Sequence, residues 1–198
     1  MIGSRILQEL LSRGHTVAAV VRDPSKLPPS HAIVRKGDVL DPASVAETAG
    51  GADAVISAYA PPPDDTAKLV DATRSLIAGL KKAGVKRFLM AGGAGSLRLP
   101  SGGQLVDAPD FPPVFKAIAL AHRDALDVIR QAGLDWTSFS PAASIERGAR
   151  TEKFRLGTDD LITDQKGESR ISAEDYAIAM VDELESPKHI RQRFTIGY

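Results

Sequence analysis

Five short stretches of this sequence end apolar runs on small or polar residues: Arg22-Asp23 with Lys26, Gly37-Asp38-Val39, Ser57-Ala58-Tyr59, Gly92-Gly93-Ala94-Gly95-Ser96 and Pro141-Ala142-Ala143. Small side chains let backbone come close to a flat ligand, so their recurrence at strand ends suits an extended cofactor lying across a sheet edge. Acid–base chemistry is less well provided. Neither Tyr59 nor Tyr176 has a lysine four residues on, so the Tyr-x-x-x-Lys pair that exchanges a proton with a substrate oxygen is missing. Hydride transfer to a flavin or quinone does not need that pair, because water can supply the proton while the protein orients the rings. Ser96 is the best-placed polar side chain for orienting nicotinamide or substrate, or else it is a helix-cap or loop residue. Lys116 and His122 share a long helix near the same region, six positions apart and so off one line. His122 reads either as an acid or as an ordinary helix-surface residue. His15 precedes a strand, His31 and His189 stand in polar connections, and no pair has metal-ligand spacing, so no metal is expected.

The elements that must position these residues alternate along the chain. Ile6, Leu7, Leu10 and Leu11 form a helical stripe stopped by Gly14, and residues 16–21 read as a buried strand. A Pro- and Ser-rich turn and a strand over 32–38 follow. Asp41 and Pro42 open a helix, as N-cap and first residue, that Gly50-Gly51 ends. The apolar strand at 52–60 closes on three prolines, a helix over 66–82 stops at Gly84, and a strand occupies 85–93. A Gly/Pro-rich loop leads to a helix over 114–131 and a strand at 135–141, with Trp136 and Phe139 expected in the core. Such alternation predicts a doubly wound parallel α/β sheet with helices on both faces. In the remainder, about 144–198, short strands are expected outside the main sheet. Ser172 caps a helix with Asp175 completing a capping box, and 193–198 reads as an edge strand. Phe154 lines a substrate pocket or belongs to a satellite core.

With 198 residues, 43% of them hydrophobic, the chain suits a single domain with 144–198 as a substrate-side extension. Twenty-five basic residues balance 25 acidic ones, which gives no electrostatic footprint for nucleic acid or an anionic membrane and favours small-molecule partners. The lack of cysteine excludes disulfides and thiol catalysis. No apolar stretch approaches about 18 residues and no signal-peptide pattern opens the chain, so a cytoplasmic protein is expected.

The stretch IGSRILQELLSRGHTVAAVVRDPSK, with MAGGAGSL, LVDAPDFP, DWTSFSPAA and GESRIS, resembles the NmrA-like, NAD(P)-binding atypical short-chain dehydrogenases, in particular their NADH-flavin reductase branch. The resemblance implies a Rossmann-like fold in which a strand and a Gly-x-x-Gly-x-x-Gly turn precede the first helix. Gly3 would be the last of those glycines, with Met1 and Ile2 in the stretch touching pyrophosphate; the first strand and first two glycines are absent. Either the chain continues upstream, or the second and fourth strands of the usual order close the gap. Arg22, about 20 residues after Gly3, stands where a base accommodates a 2′-phosphate, which with Lys26 leans toward NADP over NAD; the alternative is a solvated arginine beside an Asp23-capped turn. Asp38 and Val39 resemble the family's adenine-contacting pair, or form a plain turn. Phe115-Lys116 falls where a relative would carry Tyr-Lys. The implied activity is NAD(P)H-dependent hydride transfer to a flavin, quinone or similar planar acceptor beneath the loop from Leu97 to Pro113 and the tail. The alternatives are a non-catalytic dinucleotide sensor and a chain that binds no nucleotide.

Overall fold

The structure, a computed structural model, describes residues 1–27, 30 and 32–198, and of Lys26 the backbone only. His31 therefore lies outside the described residues. The described residues form five helices, α1 (Ile2–Ser12), α2 (Pro42–Ala49), α3 (Lys68–Ala83), α4 (Pro113–Arg130) and α5 (Ala173–Glu185), and nine strands. The strands are β1 (Ala18–Val21), β2 (Ile33–Lys36), β3 (Ala54–Ser57), β4 (Arg87–Ala91), β5 (Asp135–Ser140), β6 (Ser144–Glu146), β7 (Arg155–Gly157), β8 (Arg170–Ser172) and β9 (Gln192–Gly197). The main sheet has the order β3-β4-β5-β9-β7, parallel except for β7.

Successive residues of β4 serve opposite faces, as the pleat requires. Phe88 and Met90 join α2, α3, α4 and Trp136 in one buried cluster, while Leu89 and Ala91 join α1, α5, Phe139, Phe194 and Ile196 in the other. Helices thus cover both faces, and Trp136 and Phe139 are core residues, 5% and 0% exposed. Local signals explain the ends. Asp41 caps α2 by accepting from the Ala43 N–H, and Gly84 takes the left-handed conformation, φ 75°, that stops α3.

Three expectations are corrected. First, residues 18–21 do not form a buried strand: β1 pairs only with β2, and Val20 and Ile33 are 45% and 52% exposed. Nor do β1 and β3 close up. They are the inner edges of two separate sheets, and neither has a ladder partner on that side among the described residues. Helix α1 packs against α5. Arg5 bonded to Glu174 and Arg13 bonded to Asp182, each at 2.7 Å, anchor it to α5 over the main sheet, and the chain leaves for β1 only at Gly14. Second, β9 is not an edge strand but lies between β5 and β7, because the 155–157 stretch adds an antiparallel rim; of the described strands after residue 143, β6 and β8 pair outside the main sheet. Third, Ser172 caps α5 through the Asp175 N–H, yet the Asp175 carboxylate does not return the bond. It accepts instead from the N–H and Oγ1–H of Thr151, the Glu152 N–H and the Tyr198 hydroxyl.

Candidate functional site

The register of the ladders sets the carboxyl ends of the strands level. Ser57 pairs with Met90 and Ala91 with Phe139, and the Gly92 N–H donates to the Phe139 carbonyl at 2.8 Å. Ser57-Ala58-Tyr59, Gly92-Gly93-Ala94 and Pro141 therefore emerge side by side. On the neighbouring ribbon the Gly37 N–H donates to the Val21 carbonyl at 3.0 Å, which places exposed Arg22 beside Gly37-Asp38. Lys26 follows in a 3-10 turn at Pro24–Lys26 that Asp23 caps; its side chain lies outside the description.

Helix α1 begins over this edge. A Cβ on Gly3 would stand 3.3 Å from that of Ala58, so the helix start approaches the end of β3 closely. The helix has Met1 as N-cap with no side-chain cap and no acidic residue in its first turn. Its first N–H groups and the positive end of its dipole are thereby left to an anion. Asp38 is a turn residue, its carboxylate accepting from the Leu40 N–H at 2.9 Å, whereas Val39 packs against the α2–α3 core. Uncapped N–H donors beside a run of small residues can accept an anionic group next to a flat one.

The second half of the site rises from β4. Gly93 is required because a Cβ there would stand 2.7 Å from the Cβ of His122, and Gly95 because its Cβ would meet that of Ala119 at 2.7 Å. This close packing draws α4 onto the loop and brings His122 to the end of β4. The His122 ring is mostly enclosed, burial lowers its pKa to about 4, and its Nδ1 has no partner. It is a neutral imidazole at pH 7, able to donate at one nitrogen and accept at the other. Lys116 is not brought there. Six positions amount to about 240° around the helix, and Lys116 is exposed. Ser96 is buried, its Oγ and carbonyl accepting from Arg193 at 2.8 and 3.2 Å, which leaves the hydroxyl its own proton to donate. Tyr176 is fully buried and donates to the Phe139 carbonyl at 2.6 Å; burial pushes its pKa well up, so it supplies no phenolate. Beyond this floor opens a cavity of about 630 Å³ between Leu99–Asp110 and the segment from Leu161 to Ser169, with Ala143 below.

The sequence profile of the NAD(P)H-binding family matches residues 1–187. The chain belongs to that family. Its relatives include the protein YwnB of Bacillus subtilis, 39% identical over 198 residues, which span 98% of this chain and 92% of YwnB. Among solved structures, a protein of Burkholderia pseudomallei described as a candidate exported protein is 49% identical with a TM-score of 0.92, covering 100% of this chain and 95% of its own. A candidate NADH-flavin reductase of Streptococcus pneumoniae is 36% identical with a TM-score of 0.88, covering 99% and 93%. This NAD(P)H-binding protein is thus of the atypical short-chain dehydrogenase type that its sequence resembles. No helix among the described residues is long and apolar enough to cross a membrane.

The role of Arg193 is not among the expectations from sequence, whereas a wall supplied by the tail is. Arg193 bridges Ser96 and Asp159, and the 161–169 segment walls the cavity. The one available signal for that role is Arg193 itself, a charge directly before the buried run Phe194-Thr195-Ile196 of β9. Phe154 packs on the main α1–α5 core, neither in a satellite core nor among the residues lining the cavity.

Proposed function

We propose that this protein is an NADPH-dependent reductase that passes a hydride to a planar acceptor held in the 630 Å³ cavity. The observation that carries the reading is the adjacency of that cavity to the glycine-rich end of β4. Gly95 begins the loop that walls it, and the Val106 N–H donates back to the Gly95 carbonyl at 2.8 Å. Met1, Ile2 and Gly3 would hold pyrophosphate, Arg22 with Lys26 a 2′-phosphate, and Asp38 and Val39 the adenine side. Ser57, Ala58, Tyr59, Gly92, Gly93, Ala94 and Pro141 would form the floor beneath the nicotinamide. The bound dinucleotide supplies the hydride, and water supplies the proton.

The residues of this chain then orient and exclude water rather than move protons. His122, neutral and facing the β4 end, offers a hydrogen bond without a charge. Ser96 fixes the loop through Arg193, and Lys116 is an exposed cation in the first turn of α4. The absence of a usable phenolate fits acceptors such as flavins or quinones over alcohols. Absorbance loss of NADPH on adding riboflavin or menadione tests the reading. Acceptor-dependent oxidation is expected; binding of NADPH without oxidation by either would instead make the protein a dinucleotide sensor.

A further inference from the structure

The acceptor cavity carries a charge bias. Asp107 and Asp110 line it, and no lysine, arginine or histidine does among the described residues. Arg98, the basic residue on the same loop, is committed to Asp160 at 2.9 Å. The rest of the lining is backbone, small apolar residues and uncharged polar groups, among them Gln104, Thr163 and Ser169. Gln104 has a buried carboxamide oxygen without a donor. An orphaned buried acceptor marks a place for a ligand or a water. A carboxamide sets a donor beside an acceptor, and that pair is the complement of an imide edge, where a ring N–H stands next to a carbonyl.

We infer that the cavity takes an uncharged, imide-bearing ring, an isoalloxazine without a phosphate, and disfavours phosphorylated flavins. This rests on the reading of the protein as a reductase of planar acceptors. Asp107 and Asp110, both exposed at the lining, repel a phosphate brought there, and no lysine, arginine or histidine among the described lining residues offsets them; the repulsion is screened as salt rises. The N3–H of the ring and an adjacent carbonyl would meet the Gln104 carboxamide. Quinones lack the N–H and would forgo that bond.

The test is a titration of the protein loaded with NADP⁺, using riboflavin, flavin mononucleotide and 3-methylriboflavin at low salt, followed by flavin fluorescence. Riboflavin is expected to bind at least about tenfold more tightly than the mononucleotide, and 3-methylriboflavin about fivefold more weakly than riboflavin. In the isosteric Asp107→Asn/Asp110→Asn variant the mononucleotide should come within about twofold of riboflavin. Equal affinities in the unaltered protein, no riboflavin binding, no effect of the methyl group, or a preference that survives the double substitution would each overturn the inference. Riboflavin that binds selectively while NADPH remains unoxidised would overturn the reductase reading instead, so the two failures are distinct.

Discussion

Arg193 of β9 donates from one guanidinium nitrogen to both the Oγ and the carbonyl of Ser96, at 2.8 and 3.2 Å, and its other nitrogens reach Asp159. The side chain is 5% exposed. A residue of the sheet thereby ties together the loop after β4 and the segment after β7, whose continuations line the cavity proposed for the acceptor. Arg193→Leu should cost about 2 kcal/mol, since it leaves buried acceptors unpaired. It should also raise KM for the acceptor more than for NADPH. Chemical unfolding and steady-state kinetics check the two parts, and equal rises in both KM values would contradict the positioning role.

Gly79 of α3 has Val45 so close that an added Cβ would lie 2.5 Å from the valine Cβ and 2.8 Å from the Pro42 carbonyl. Gly79→Ala is expected to cost about 3 kcal/mol by overpacking. Adding Val45→Ala should not restore stability, because the Cβ and the backbone oxygen both remain. Urea midpoints of the single and double variants decide this. The contact matters to function because Val39, the residue assigned to the adenine side, packs on the same cluster.

His122 gives stability a pH dependence of fixed sign. Its pKa is about 4 when folded, against 6.5 in an unfolded chain. Between those values the unfolded chain binds a proton that the folded one refuses, so stability falls as pH drops through 6.5 and levels off near 4. The loss from pH 7 to pH 5 should be about 2 kcal/mol. His122→Asn should flatten that limb, and an unchanged slope in the variant would show that the imidazole is solvated.

Asp175 accepts four hydrogen bonds while fully buried. Burial pushes its carboxyl up, but the Thr151 hydroxyl, the backbone donors and Tyr198 outweigh this and hold it below its ordinary 3.8. Its contribution is therefore present above about 4 and lost at more acid pH. Asp175→Asn, which replaces an acceptor by a donor, should cost about 2 kcal/mol at neutral pH. Thermal denaturation measures the loss, and a variant as stable as the parent would contradict the account.

What was legible in the sequence was what local chemistry decides. Asp41-Pro42, Gly84 and Ser172 carry their cap signals within a turn, and strand–helix alternation gave the parallel sheet. The strand-end residues Ser57, Gly92, Gly93 and Pro141 could be collected because ligands gather at the carboxyl ends of such sheets. What was not legible depends on partners distant in sequence. Asp175 looked like half of a capping box because Ser172 stands three residues away, while its actual donors, Thr151 and Tyr198, are more than 20 residues off. Residues 16–21 looked buried because valine and alanine imply burial only where a neighbouring strand covers them, and β1 has β2 alone. The approach of His122 to Gly93 is a matter of helix rotation, which spacing from Lys116 does not reveal.

The central claim, a dinucleotide across the strand ends with Arg22 reading its 2′-phosphate, is tested most directly by titrating the purified protein with NADPH and NADH, following cofactor fluorescence at fixed salt. The account predicts micromolar binding of NADPH and binding of NADH at least about tenfold weaker, with Arg22→Ala removing most of the difference. No binding of either cofactor would contradict the site, and NADH binding as tightly as NADPH would contradict the role of Arg22.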